Sequence, residues 1–124
     1  MLNSFNGIGR LGGDPQVFKN EDQMVATFDI AINEFFRSNN EMQKKTHWIP
    51  CVAFGRMAEL ASEFLRKGSQ IGVRGALKER QWNNGGNQRK TLQVHVAEME
   101  FLSSRSAEED RVKAEDPEEK EAGL

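Results

Sequence analysis

The stretch that decides the fold is residues 46–75, THWIPCVAFGRMAELASEFLRKGSQIGVRG. It changes hydrophobic period twice. Over 46–54 apolar and other residues alternate as in a strand, with Trp48, Pro50, Val52 and Phe54 on one parity. From 56 to 67 the apolar residues Met57, Leu60, Ala61, Phe64 and Leu65 fall on one face of a helix. Arg66 and Lys67 suit the negative end of its dipole, and Gly68 suits a left-handed cap. From 69 the period returns to two. Ile71, Val73, Gly75 and Leu77 take one face, and Arg74, Lys78, Arg80 and Trp82 the other.

Working outward, strands are expected over 3–12 and 24–34 before this unit, and over 88–102 after it. Residues 38–45, SNNEMQKK, read as a polar loop, and residues 83–87, NNGGN, as a hairpin loop. The apolar phase of the last strand shifts between Val96 and Met99, as a bulge would make it. Three strands, a helix and two strands is the order of an OB-fold: mainly β, a five-stranded Greek-key barrel with one helix between strands 3 and 4. Residues 1–102 form this domain. Residues 103–124 carry eight acidic and four basic residues, a net −4, against +2 on the rest. With few apolar side chains and no helical stripe, they read as a short disordered acidic tail.

Several classes of function are excluded. Cys51 is the only cysteine, so no internal disulfide or cysteine-rich zinc site is possible, and two histidines are too few for most transition-metal sites. His47 and Cys51 stand four apart on a strand, about 13 Å, beyond the reach of a nucleophile and its base. Asp14, Asp29 and Glu34 are scattered. GIGRLG at 7–12 fits the dinucleotide pattern, but Asp14-Pro15 follows at once where the pattern needs a helix. No enzyme, cofactor or metal is expected. Without an apolar run of 18 residues no membrane span is expected, and with no signal-like start the cytoplasm is the expected location.

What remains is a cationic strand face ending in an indole, beside a strand with two aromatics on one parity. Single-strand binders need flat rings for bases and a positive path for phosphates. The same parities also fit a core face for Trp48 and Phe54, and a solvated face for the charges.

GRLGGDPQV, the 46–75 unit and the following ALKERQW resemble the bacterial single-stranded DNA-binding protein family over about residues 3–102. The resemblance implies that Phe36, Trp48, Phe54 and Trp82 stack on bases. It also implies that Arg56, Arg66, Lys67, Lys78 and Arg80 line the phosphate path, to which position adds Arg10, Arg37 and Arg74. It implies a homotetramer that coats single-stranded DNA in replication, recombination and repair, at the nucleoid and replication forks. Two departures stand out. Ile49 takes a position that is often histidine near subunit contacts. The tail ends Lys120-Glu121-Ala122-Gly123-Leu124, without the proline–phenylalanine tip that docks replication and repair proteins, so tail-mediated recruitment is not expected. A primosomal replication accessory protein or an RNA-binding module on the same fold is the rival reading.

Overall fold

A sheet closes into a barrel only where one strand can pair on both sides, and here that strand is the first. The computed structural model describes residues 1–102. In it β1 (Phe5–Leu11) pairs antiparallel with β5 (Gln70–Asn84) along nearly its whole length, and its last residues also pair with β3 (Gln23–Ser38), Arg10 facing Ala31 and Leu11 facing Ile30. β3 continues to β4 (Glu41–Phe54), β4 to β6 (Asn87–Phe101), and β6 back to β5. The ring β1-β5-β6-β4-β3 is the expected five-stranded barrel, and α1 (Arg56–Phe64) is its one helix, between β4 and β5. The β4–β6 contact is the parallel one, with Cys51 opposite Val94 and Val52 opposite His95.

The structure departs from the sequence reading in four places. The expected 83–87 loop narrows to Gly85 and Gly86, both at positive φ, with Asn83, Asn84 and Asn87 in the paired strands. An extra strand, β2 (Gln16–Asn20), pairs with β3 outside the ring and turns into it through Glu21 and Asp22, both at positive φ. The polar stretch 38–45 is not a loop. Only Asn39 and Asn40 turn, again with positive φ at both residues as a two-residue hairpin requires. β3 and β4 therefore run on as a paired arm beyond the barrel, every residue from 34 to 45 being exposed. Finally, the helix stops at Phe64, because Leu65 turns extended to bury itself completely in the core. Arg66 lies beyond the helix, yet its guanidinium still donates to the carbonyls of Ser62 and Leu65 at 2.9 and 2.6 Å. Gly68 does have positive φ, in the turn that leads to β5.

The bulge appears where the phase shift put it. Arg74 faces Glu98 while Gly75 faces Val96, so Ala97 is the extra residue. Val96 and Met99 can then both pack against the core. That core is made of Leu11, Ala26, Phe28, Ile30, Cys51, Ala53, Ala58, Ala61, Leu65, Ile71, Val73 and Val94. Burial, and secondarily the charge of Asp29, pushes the Cys51 thiol up to about 12. No helix among the described residues is long and apolar enough to cross a membrane. The acidic tail lies outside the described residues.

Closure depends on how near β1 comes to β3. A Cβ at Gly9 would sit 2.5 Å from the carbonyl oxygen of Ala31, a backbone atom that cannot swing away. Gly9→Ala is therefore expected to cost about 1–3 kcal/mol, the usual range for overpacking. Gly13→Ala, where the added atom meets nothing within 4 Å, should stay within about 0.5 kcal/mol of the parent. Urea unfolding of the three proteins measures both. An unchanged midpoint for Gly9→Ala would mean that β1 can step away from β3 without penalty.

Candidate nucleic-acid interface

The outer face of β2, β3 and β4 is a set of rows fixed by register. Gln16 faces Thr27, and Thr27 faces Val52; Phe18 faces Val25, and Val25 faces Phe54. Further along, Pro50 lies opposite Asp29 and Trp48 opposite Ala31. These rows, with Gly12, Gly13 and Asp14 from the turn after β1 and with Arg80 and Gln93 from the neighbouring hairpin, enclose an open groove of about 920 Å³.

Of the residues singled out from the sequence, the groove brings together Trp48, Phe54 and Arg80. Trp48 is 56% exposed, so its indole is not part of the core. It lies against Gly12, where a Cβ would meet ring carbons at 2.5 and 2.9 Å. Phe54 is tilted against the His95 ring, with centroids 5.4 Å apart. The Arg80 guanidinium sits 4.9 Å from the centroid of Trp82, a cation–π contact that couples this exposed indole to the groove. Burial, and then the charge of Lys78, holds the His95 imidazole below the ordinary histidine value. Lys78 lies opposite Gln93, a residue of the groove lining, and so stands at the edge of the same site.

Four of the other cations have partners elsewhere. Arg74 pairs with Glu98 across β5 and β6, beside Ile8 on a different face. Arg56 pairs with Glu59 at 2.9 Å within the helix. Arg10 donates to the Gly68 carbonyl at 2.8 Å. Arg66 caps the end of the helix as described. Lys67 is exposed, and its backbone N–H donates to the Asp14 carboxylate at 2.8 Å, at one end of the groove. Phe36 and Arg37 stand on the β3–β4 arm. Alternation puts Phe36 on the face opposite to Trp48's, and Phe35 and Arg37 on the same face as Trp48.

Three contributors escape a sequence reading. Phe18 is 52% exposed and walls the groove from β2, a strand the sequence hides. Gln93 reaches in from β6, and Gly12 carries the indole. For Phe18 no signal was present, since neither parity of Gln16–Asn20 is apolar.

Residues 2–102 match the model of the single-strand binding protein family. The chain belongs to that family. It is 36% identical over 108 residues to single-stranded DNA-binding protein 1 of Xylella fastidiosa (strain 9a5c), covering 84% of this chain and 79% of that protein. Among solved structures it is similar to a Plasmodium falciparum SSB in complex with single-stranded DNA. The TM-score is 0.77 at 32% identity, over 83% of this chain and 96% of that one. In this chain Trp48, Phe18, Phe28 and Phe54 line one groove, with Trp82 beside it.

Since the atoms facing Gly12 belong to the far end of a side chain, crowding there should move the indole rather than unfold the barrel. In a Trp82→Phe background, Gly12→Ala is expected to raise acrylamide quenching of Trp48. The unfolding midpoint should change by less than the equivalent of about 1 kcal/mol. An unaltered quenching constant would show that the ring does not rest on Gly12.

Proposed function

We propose that the groove binds single-stranded DNA, holding it chiefly by base stacking on Trp48 and Phe54, with Trp82 alongside and Arg80 and Lys78 for the phosphates. The observation that carries this is an exposed indole held in place within a groove that also carries the partly exposed rings of Phe18 and Phe54. Stacking tolerates any base, because every base has a π-face, and contributes about 1–3 kcal/mol per base. Coating of this kind protects exposed strands during replication, recombination and repair. It requires neither nucleophile nor metal, so the function is binding and not catalysis, and the cytoplasm is where it would act. The resemblance to a solved complex with single-stranded DNA supports the reading over a primosomal accessory role or an RNA-binding one.

We propose further that the working unit is a homotetramer. Exposed apolar side chains away from the groove, among them Ile8, Leu92 and the Phe64–Phe101 pair, support association of a small body.

Titration with oligo(dT) is expected to quench the tryptophan fluorescence, with RNA and duplex DNA binding more weakly. Trp48→Ala should cost about 1–3 kcal/mol in affinity. No quenching at saturating oligonucleotide would sink the stacking reading. Light scattering should return four times the 14.0 kDa chain mass; a monomer at micromolar concentration would rule the tetramer out.

A further inference from the structure

One edge of the groove is held by a histidine that does not itself line it. The His95 ring on β6 is tilted against Phe54, with centroids 5.4 Å apart. Its Nε2 stands 3.0 Å from the side-chain nitrogen of Gln93. Phe54 and Gln93 both belong to the groove lining. A single imidazole thus supports an aromatic wall and a polar one.

The hydrogen bond fixes the state of that imidazole. An amide nitrogen only donates, so Nε2 accepts, and the proton of the neutral ring sits on Nδ1. Gln93 turns its nitrogen to the histidine and leaves its carbonyl oxygen for the groove. Phosphate oxygens are acceptors, so this orientation offers them nothing. A protonated ring reverses the order, because both of its nitrogens must donate. The amide then gives its carbonyl to His95 and its N–H groups to the groove. A positive charge also appears beside Lys78, which lies opposite Gln93.

The surroundings set when this happens. β5 places Ala76 opposite His95 and Lys78 and Arg80 in the rows that follow; in the other direction, beyond the bulge, comes the Arg74–Glu98 ion pair. β4 places Val52 opposite the histidine and Phe54 against its ring, neither of them charged. Its neighbours on the same face of β6, Gln93 and Ala97, are uncharged too. Burial, and then Lys78, keeps the imidazole below the ordinary histidine value, so the free protein holds it neutral at neutral pH. A polyanion lying along Lys78 and Arg80 offsets those cations and favours the charged ring.

We propose that His95 is a positioning residue of the groove, and that single-stranded DNA binding is linked through it to uptake of one proton from solvent, which turns the Gln93 amide toward the phosphates. The proposal rests on the reading of the groove as a single-stranded DNA site and adds a control to it. The sign follows from linkage. Protonation is easier in the complex than in the free protein, so affinity rises as pH falls through the bound-state value and levels off below the free-state value.

The test uses oligo(dT), whose bases do not titrate in the range concerned. Its affinity for the full chain is taken from the anisotropy of a labelled strand between about pH 8 and about pH 5.5, at one ionic strength. The parent should gain about threefold more over this range than His95→Gln, which can still hydrogen-bond to Gln93 but carries no titrating proton. His47→Gln, which removes the histidine paired with Glu34 at 2.9 Å on the arm, should keep the parent's profile. An NMR titration of the His95 ring in the parent, free and with oligo(dT), should show its protonation moving to higher pH in the complex; this needs no variant to fold. Equal profiles for the parent and His95→Gln would overturn the proposal, and so would loss of the pH response in His47→Gln or a His95 titration that DNA leaves in place. In each of those cases oligo(dT) still binds and the groove reading stands. Failure of the parent to bind oligo(dT) at any pH would overturn both.

Discussion

The whole arrangement hangs on the near-contact of two backbones at Gly9. Because no side chain stands between β1 and the Ala31 carbonyl, β1 can serve two neighbours at once, and an otherwise open sheet becomes a ring. A closed ring leaves the core enclosed on all sides. It also holds β3 so that its outer face curves toward the turn after β1. The groove is a product of that curvature: Gly12 and Asp14 from one end of the closure meet Trp48 and Phe54 from β4. The residues that touch no ligand at all thus decide whether a binding surface exists.

The strand–helix–strand unit at 46–75 was legible because its periods follow burial. Ala61 and Leu65 of the expected helical face are fully buried, and so are Ile71 and Val73 of the strand that follows. Where burial does not follow, the reading failed. Every residue of β2 is exposed, so no apolar stripe marks it, and its turn uses Glu21 and Asp22 at a backbone conformation that glycine or asparagine usually announces. The β3–β4 arm is held by pairing between two exposed, largely polar strands, which resembles a loop on paper. Trp48 and Phe54 share a strand parity that is equally good for a core. Only the fold shows that this parity faces outward, while Cys51 and Ala53 face in. Gly12 has no sequence signal of its role, since that role is defined by a ring 36 positions away.

Charge was the weakest guide. A count of basic residues on a strand cannot tell a cation available to a ligand from one satisfied at home. Arg74 and Arg56 have carboxylate partners, and Arg66 and Arg10 hold backbone carbonyls. The arginines therefore act in large part as fold components, and in the groove lining rings outnumber cations.

The position of Cys51 has a consequence of another kind. A thiol pushed up to about 12 by burial stays protonated at neutral pH, and the protonated form is neither nucleophilic nor readily oxidised. Its side chain is 1% exposed, packed in the core beneath the groove, so reagent reaches the sulfur when that packing opens. Alkylation of this lone thiol is then gated by opening of the barrel, so the chain carries an internal clock for that event. With reagent in excess, the clock reports how often the closure at Gly9 lets go.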